Sequence, residues 1–346
     1  MRRFEQSNKI IRSAVANHKL WIMILMSFAL AVPMLAVAED TPATSSTTVH
    51  SDQVAAYTSK GADTCIKCHD EDSEFPVFSI FKTKHAQLAD SRTPFAHLQC
   101  ETCHGPGANH AKNVPSDKHQ APIIAFGSTS KIAPDGRNPT SPTDQNKICL
   151  DCHRGDARID WHASAHERGD LACVSCHKLH VDRDPVLRTA SQPEVCYRCH
   201  QKQRVDFNKP SAHPVNFAQL ACSNCHQPHG TSNAAQLIKP TINQTCYSCH
   251  AEKRGPVLWE HAPVAEDCTL CHSAHGSVHS ALLKKDPPLL CQQCHSPSGH
   301  PAIARTADAL PGGSSAASGF LLAGGCTNCH SQVHGSNSPS GHLLMR

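Results

Sequence analysis

Methionine, large aliphatic residues and net charge are all scarce in most of this sequence. Four of the five methionines lie in the first 38 residues and only Met345 follows them, so methionine cannot serve as a general metal ligand. Leu, Ile, Val and Phe make up 51 of residues 39–346, about 17%, which is below the level at which chains usually build an apolar core. The same segment has 27 Lys+Arg against 28 Asp+Glu, which gives no basic patch for nucleic acid and argues against ordinary disorder. Something other than side chains must therefore supply the core.

The first 38 residues predict an export signal. A basic N-terminal region is followed by an apolar run over residues 20–37 and by an Ala-Val-Ala cleavage site at residues 36–38. A retained membrane anchor is the alternative, because the run approaches the length that spans a bilayer, but Pro33 and the small residues favour removal. Residues 39–60 are rich in Thr, Ser and Ala and are expected to form a flexible leader.

Cysteine is abundant and regularly placed. All 20 cysteines fall into ten copies of C-x-x-C-H, and none is left over. Two thiols three positions apart can both form thioether bonds to one porphyrin, and the next residue is then held beneath the iron as its proximal ligand. The sequence therefore predicts ten covalently attached haems c. Zinc sites or a disulfide framework would explain the cysteines but leave the ten histidines without a role. The attachment pairs are Cys65 and Cys68, Cys100 and Cys103, Cys149 and Cys152, Cys173 and Cys176, Cys196 and Cys199, Cys222 and Cys225, Cys246 and Cys249, Cys268 and Cys271, Cys291 and Cys294, and Cys326 and Cys329; the proximal ligands are His69, His104, His153, His177, His200, His226, His250, His272, His295 and His330.

Histidines outside the motifs can supply a second axial ligand to each iron. The motifs group into five units, and each unit holds two motifs, one histidine between them and one shortly after the second. This arrangement gives ten distal candidates for ten irons, while the assignment of each candidate to a haem within its unit stays open. In unit order the first motifs begin at Cys65, Cys149, Cys196, Cys246 and Cys291, and the distal candidates are His85 and His110, His166 and His180, His213 and His229, His261 and His275, and His300 and His334.

Six further histidines beyond the signal are expected to be surface residues or contacts of haem propionates. Three of them lie close to a chosen distal candidate and compete with it, and the other three stand apart. The competitors are His97 near His85, His162 near His166 and His279 near His275; the others are His50, His119 and His342.

The motif spacing predicts a fold of short elements. Successive motifs start 22 to 49 residues apart and Gly and Pro occur throughout, so we expect short α-helices and loops wrapped around a linear haem chain, with little or no β structure, in an elongated molecule. Residues 79–90 are predicted to be a helix because Phe81, His85 and Leu88 share one face. The segments 110–149 and 311–318 are predicted to be loops.

The chain resembles a known family at several of these motifs. They are Cys100-Glu-Thr-Cys-His-Gly-Pro-Gly with His110 close behind, Cys149-Leu-Asp-Cys-His, and the His-Gly endings after second motifs. Over residues 61 to 346 it resembles the decahaem periplasmic subunit of outer-membrane porin-cytochrome conduits, the MtrA, MtoA and PioA type with its DmsE-like relatives. The resemblance implies two pentahaem halves, residues 61–206 and 207–346, and a location in the periplasm associated with the outer membrane.

The same resemblance implies a set of partners. An outer-membrane β-barrel porin would enclose the haem chain, periplasmic cytochromes or an inner-membrane quinol-linked cytochrome would meet one end, and iron minerals, Fe(II) or an extracellular multihaem cytochrome would meet the other. Even a compact chain of this size would be roughly 50 Å across, against about 40–45 Å for a bilayer with its headgroups. The haem chain is thus long enough to bridge a membrane within a porin.

Ten closed irons predict an electron-transfer protein without catalytic residues. A catalytic haem needs an open axial position, and histidine is plentiful enough here to close every iron. All ten motifs end in histidine, so the lysine-ligated motif of some multihaem reductases is absent. The predicted function is electron transfer across the outer membrane for extracellular Fe(II) oxidation or metal and mineral reduction. The alternative is a soluble periplasmic shuttle to a terminal reductase such as nitrite or dimethyl sulfoxide reductase.

Overall fold

Short helices follow one another along the chain, and turns and irregular segments join them. The computed structural model describes residues 56–73, 75–112, 121–127, 140–296 and 325–345, and the predicted export signal, most of the leader, the loop at 311–318 and His50, His119 and His300 lie outside these residues. The α-helices are Ala62–Cys65, Cys100–His104, Pro142–Leu150, Ala165–Arg168, Gln192–Tyr197, Gln201–Phe207, Ile242–Tyr247 and Ala262–Glu266. Turns of 3-10 helix are Phe78–Lys82, Lys84–Ala86, Pro94–Ala96, Asp156–Arg158, Trp161–Ala163, Cys173–Ser175, Pro185–Leu187, Cys222–Asn224, Ala234–Gln236, Ala251–Lys253, Cys268–Leu270, Ser280–Leu282, Cys291–Gln293, Cys326–Asn328 and Gly341–Leu343.

Extended structure in these ranges is limited to isolated pairs of residues. The bridges join Ser211 to Ser277, His226 to Leu237, Trp259 to Ser336 and His272 to Leu283. The described part of the chain contains no β-strand, and the prediction of short helices and loops is confirmed. None of the described helices is long and apolar enough to cross a membrane.

Caps start the longer helices just before a first motif. Pro142 occupies the first helical position of its helix. The hydroxyl of the preceding residue, Ser141, accepts a hydrogen bond from the Asp144 amide at 3.2 Å. Thr241 accepts from the Gln244 amide at 3.1 Å in the same way. Such a cap satisfies an amide that has no partner within the helix. The cap thereby sets where each helix begins, three turns or fewer before its haem-attachment cysteine.

Buried asparagines connect the two motifs of a unit. Asn146, three residues before Cys149, donates to the Leu171 carbonyl at 3.0 Å and accepts from the Cys173 amide at 2.7 Å. Asn243, three residues before Cys246, donates to the Val264 carbonyl at 2.8 Å and accepts from the Cys268 amide at 2.8 Å. Both amide side chains are thus satisfied while buried, as buried polar groups require. These contacts fix the second motif of a unit beside the first.

The apolar core made by side chains is small. Among the described residues, one cluster of buried hydrophobic side chains consists of Ala62, Ile80 and Phe95. Large apolar residues such as Leu187 and Ile159 remain exposed, at 73% and 74%. A cluster of three side chains cannot offset the conformational entropy of so long a chain. The composition predicted this shortage, and a bound apolar group must complete the core.

The predicted helix at residues 79–90 is wrong as a continuous element. Two 3-10 turns, Phe78–Lys82 and Lys84–Ala86, meet at Thr83, which has an extended backbone with φ −94° and ψ 164°. The Thr83 hydroxyl donates to the Ile80 carbonyl at 2.7 Å and so competes for an acceptor of the helix ladder. The predicted division between residues 206 and 207 falls inside the helix Gln201–Phe207, and the two pentahaem halves stay a prediction.

Candidate functional site

Each C-x-x-C-H motif forms one turn of helix. In the first motif the His69 amide donates to the Cys65 carbonyl at 3.1 Å, and the same bond recurs between His177 and Cys173 at 2.9 Å. One helical turn brings residues i, i+3 and i+4 to the same side. Both thiols and the histidine of a motif therefore face one haem, which is the physical reason for the spacing.

The structure places most motif histidines opposite a second histidine ring. In nine pairs the ring centroids lie 6.0 to 6.3 Å apart, whereas the angle between the ring planes varies from 11° to 76°. The pairs are His69 with His110, His85 with His153, His104 with His180, His166 with His200, His177 with His229, His213 with His250, His226 with His275, His261 with His295, and His272 with His334.

This combination of constant distance and variable angle fits a shared metal. Two imidazoles bound to opposite sides of one metal through bonds of about 2 Å have centroids about 6 Å apart, and each ring can turn about the common axis. Rings that pack directly against each other favour particular relative orientations instead. A C-x-x-C cysteine pair adjoins each motif histidine, and the residues present therefore fit haem c with two histidine ligands.

Hydrogen bonds from Nδ1 orient many of these rings. The acceptor is a backbone carbonyl at 2.6 to 2.9 Å in the eight cases that follow. Donation from Nδ1 fixes the tautomer that has its lone pair on Nε2, the nitrogen left for a metal. The bonds run from His104 to Ile124, His110 to Ala121, His166 to Pro228, His213 to Ala274, His226 to Ala235, His261 to Val333, His272 to Ala281 and His330 to Leu343.

The ring pairs cross the boundaries of the sequence units. The histidine between the motifs of one unit faces the first motif of the next, as His85 faces His153. In return, the histidine after the second motif of the later unit faces the second motif of the earlier one, as His180 faces His104. Only in unit one do both members belong to the same unit, His69 and His110, among the described pairs. Neighbouring units thus exchange histidines reciprocally, and the sequence grouping does not predict the exchange.

The two exchanged histidines of a pair of units are also linked to each other. His166 donates to the carbonyl of Pro228, the residue before His229, at 2.7 Å. His213 donates to the carbonyl of Ala274, the residue before His275, at 2.7 Å. The histidine that a unit supplies to the next unit is therefore anchored on the backbone segment that carries the histidine supplied in return.

A glycine directly follows His229 and His275, and it permits the neighbouring unit to approach closely. Gly230 has φ +109°, and a Cβ there would collide with the Asp160 carbonyl of the preceding unit. Gly276 is in the same position relative to the Asp206 carbonyl. Any larger residue would push the units apart, and the left-handed backbone of Gly230 favours glycine in any case. The His-Gly endings seen in the sequence thus serve contact between units.

The three competing histidines have other partners. His97 contacts the Ser91 carbonyl through Nε2 at 2.8 Å, the nitrogen that a haem ligand would need. His162 is 77% exposed and bonds Glu167 at 2.9 Å. His279 bonds Asp286 at 2.8 Å. In the described structure it is His85, His166 and His275 that face motif histidines.

Burial keeps several of the paired histidines neutral. The pKa of His229 falls to about 4, chiefly through desolvation and then through the nearby His177 and Arg158. Desolvation also lowers the pKa of His104 and of His180. A neutral imidazole is the form that binds a metal. These three imidazoles are therefore in the form that can bind a metal at neutral pH.

Cysteine contacts show the order of the attachment sites. Within each unit the first cysteines of the two motifs are close enough to perturb each other, as Cys65 and Cys100 do: their interaction lowers the pKa of the Cys65 thiol and raises that of Cys100. Between units the second cysteines are neighbours instead, as Cys103 is to Cys152. The first-cysteine pairs of the other units are Cys149 and Cys173, Cys196 and Cys222, Cys246 and Cys268, and Cys291 and Cys326; the other neighbours between units are Cys176 and Cys199, Cys225 and Cys249, and Cys271 and Cys294. The ten motifs therefore form one uninterrupted series in sequence order.

Several residues around these sites could not be found from the motifs. The buried Glu101 carboxylate accepts hydrogen bonds from the Thr58 hydroxyl and the Gly107 amide, both at 2.7 Å, which explains the Gly-Pro-Gly segment. Trp161 Nε1 and Arg158 Nε are buried without a hydrogen-bond partner, and Trp161 lies 6.4 Å from the ring of His229. Haem propionates are acceptors that would suit both nitrogens. No sequence signal singles these residues out.

Comparison with known proteins identifies the family. Profiles described as doubled CXXCH motif match residues 213–255 and 261–300, one described as cytochrome c-type protein NrfB-like matches 100–192, and one described as cytochrome c554 and c-prime matches 35–105. Over 290 residues the chain is 48% identical to Multiheme cytochrome MtrA of Shewanella baltica (strain OS185). The aligned region covers 84% of this chain and 83% of that protein. The chain belongs to the MtrA family.

Membership in the MtrA family defines the chemistry of the motifs. This protein is a multihaem c-type cytochrome that transfers electrons through covalently bound haem c. A more distant similarity, 23% identity over 244 residues, links it to C-type polyheme cytochrome OmcB of Geobacter sulfurreducens (strain DL-1 / KN400). That match covers 66% of this chain but 27% of the larger protein.

Proposed function

We propose that the protein binds ten haems c, each with two histidine ligands, and carries electrons through them across the outer membrane inside a porin. The histidine pairs shared between neighbouring units support this proposal most directly, because the haems that they would hold then follow one another from unit to unit. Electrons would enter at one terminal unit and leave at the other. The protein would then need a redox partner at each end.

Two histidine ligands on every iron favour conduction over catalysis. Nine of the proposed irons have both ligands among the described ring pairs. The exchange pattern assigns the tenth pair to His330 and to His300, which lies outside the described residues. Of the twenty candidate histidines, these two are the ones that the nine described pairs leave over. No iron would then have an open position for a substrate.

The proposed location is the periplasm, in association with the outer membrane. The partners would be a porin, periplasmic cytochromes or an inner-membrane quinol-linked cytochrome, and on the outside an extracellular multihaem cytochrome, an iron mineral or Fe(II). The 48% identity to Multiheme cytochrome MtrA over most of both chains supports this assignment. The role of each terminal unit follows, since one must meet the periplasmic donor or acceptor and the other the external one.

A soluble shuttle that feeds a periplasmic reductase is the second candidate function. The match of residues 100–192 to the NrfB-like profile favours it. A shuttle would exchange electrons with its reductase in free solution, and a porin would not affect the rate.

Proteoliposomes separate the two functions. We expect an electron acceptor trapped inside the vesicles to be reduced by an external donor only when both this protein and the porin are present. Vesicles with the porin alone and vesicles with the protein alone are the controls. No transfer across vesicles that contain both proteins would reject the conduit, and rapid turnover with a soluble reductase in the same preparation would support the shuttle.

A further inference from the structure

One axial histidine has a carboxylate partner instead of a backbone carbonyl. His177 Nδ1 lies 2.7 Å from Asp184 Oδ2. The Asp184 side chain is only 11% exposed, and its other oxygen accepts from the backbone amides of Lys178 and Val186 at 3.2 and 3.3 Å. These two hydrogen bonds from backbone amides, together with the following Pro185, hold the carboxylate in place. The contact is therefore a built feature of the fourth motif.

The nearest comparable carboxylate is much more weakly placed. Glu252 lies 3.8 Å from Nδ1 of His250, and both side chains are more than half exposed. The distance is too long for a hydrogen bond, and the high dielectric constant of the surrounding water weakens the effect of the Glu252 charge on His250. Among the described axial histidines, His177 alone bonds a buried carboxylate.

The carboxylate charge is not cancelled by an ion pair. Within the described residues, no lysine or arginine side chain forms an ion pair with Asp184. Two nearby cations are directed elsewhere, since Lys178 Nζ donates to the Val174 carbonyl at 3.1 Å and Arg198 to the Ser175 carbonyl at 2.7 Å. A third cation, Arg158, lies near the other proposed ligand, His229, and forms no ion pair with Asp184 in the described structure. The opposite ligand, His229, has a buried Nδ1 without a partner. The ligand set is therefore asymmetric, with the added negative charge entirely on the His177 side.

A carboxylate that accepts a hydrogen bond from the Nδ1–H group makes the imidazole a stronger electron donor at Nε2. Stronger donation and a nearby negative charge both favour ferric over ferrous iron. Reduction adds one electron from a neighbouring haem and leaves the Nδ1 proton on His177, so no bond forms or breaks. The partner of Nδ1 can thus set a potential without changing the ligands.

We propose that Asp184 is a positioning residue that gives the haem attached to Cys173 and Cys176 the lowest reduction potential of the nine with described ligand pairs. This inference rests on the proposed bis-histidine ligation but not on the porin or on the direction of electron flow. The fourth site of the series then favours the oxidised state, and electrons passing along the chain must rise in energy to occupy it.

Asp184→Asn tests the proposal in the full haem-loaded protein. Asparagine keeps an acceptor near Nδ1 but removes the charge, so one one-electron step at the low-potential end of an optical redox titration should move to higher potential while the low-spin spectrum persists. Glu252→Gln and Asp286→Asn are matched controls, the first beside an axial histidine without a hydrogen bond and the second on the non-axial His279. Both controls should titrate as the wild type.

Electron paramagnetic resonance during the titration narrows the step to the haems whose two ligand planes are nearly parallel, a group that also includes the pairs His69 with His110 and His272 with His334. Nearly parallel imidazole planes give a rhombic ferric signal, and the planes of His177 and His229 differ by only 11°. The shift should therefore appear in a rhombic component, and a shift confined to other components would overturn the proposal. An unchanged titration of Asp184→Asn, or an equal shift in either control, would also overturn it.

The wild type decides the question if Asp184→Asn fails to retain its haems. A rhombic signal should then be the last to persist as the potential is lowered, and its loss before the other signals would refute the proposal. These measurements need no vesicle, so failure of the conduit function in proteoliposomes leaves them unaffected. A high-spin spectrum of the wild type would instead contradict the bis-histidine ligation itself.

Discussion

The ring of His85 lies 6.0 Å from that of His153, although the two residues belong to different sequence units. The same relationship recurs between His166 and His200 and between His213 and His250. Each haem from the second motif to the ninth would thus be bound by two adjacent units at once. A unit cannot complete its ligand sets alone, so haem attachment and the docking of neighbouring units are one process.

Replacement of His166 by methionine should raise the potential of one haem, that of the Cys196 motif. Methionine in place of histidine favours ferrous iron, and His166 faces His200 of the third unit. His162→Met is the matched control, because His162 is exposed and bonds Glu167. Redox titrations and the weak long-wavelength absorption band that marks methionine ligation distinguish the two variants. A change in the His162 variant, or none in the His166 variant, would contradict the assignment.

The motifs and the distal histidines could be found from sequence because their chemistry leaves a local pattern. Ring pairing depends instead on which units dock, and no spacing rule states that His180 turns back to His104. Asp184 was missed for a similar reason, since an Asp-Pro step looks like an ordinary turn or cap. The helix predicted at residues 79–90 failed because Thr83 supplies a competing hydrogen bond, which hydrophobic spacing does not reveal.

Substitution of Gly230 by alanine should destabilise the protein. The added Cβ would collide with the Asp160 carbonyl, and φ +109° is unfavourable for alanine, at a cost of about 1–3 kcal/mol from strain alone. Gly155→Ala is the control, because that position has φ −97° and open space for a Cβ. Thermal unfolding followed by circular dichroism should give a lower midpoint for the first variant only. Equal midpoints would show that the units do not approach as closely as described.

Acid should remove a contribution to stability that Asp206 makes. Hydrogen bonds from Lys202 and Lys209, at 2.7 and 2.6 Å, lower the pKa of this buried carboxyl. A lowered pKa in the folded state means that the stabilisation is complete above the unfolded pKa of about 3.9 and disappears as the pH falls below it. The thermal midpoints of the wild type and Asp206→Asn should therefore differ at pH 7, and the difference should shrink steadily as the pH is lowered below about 3.9. A difference that does not shrink in this acid range would assign the effect to packing.

Loss of the haems should leave the chain without a stable fold. The described structure holds few buried apolar side chains, such as Phe95 and Trp161, and many exposed ones, so the porphyrins must supply most of the apolar surface that folding buries. Protein produced without haem attachment should lack a cooperative thermal transition and be cleaved rapidly by a protease, whereas the haem-loaded protein resists both treatments. Replacing both cysteines of only the last motif, Cys326 and Cys329, should have a milder effect, because that motif belongs to the terminal unit. A cooperative transition in the haem-free chain would mean that its side chains form a sufficient core.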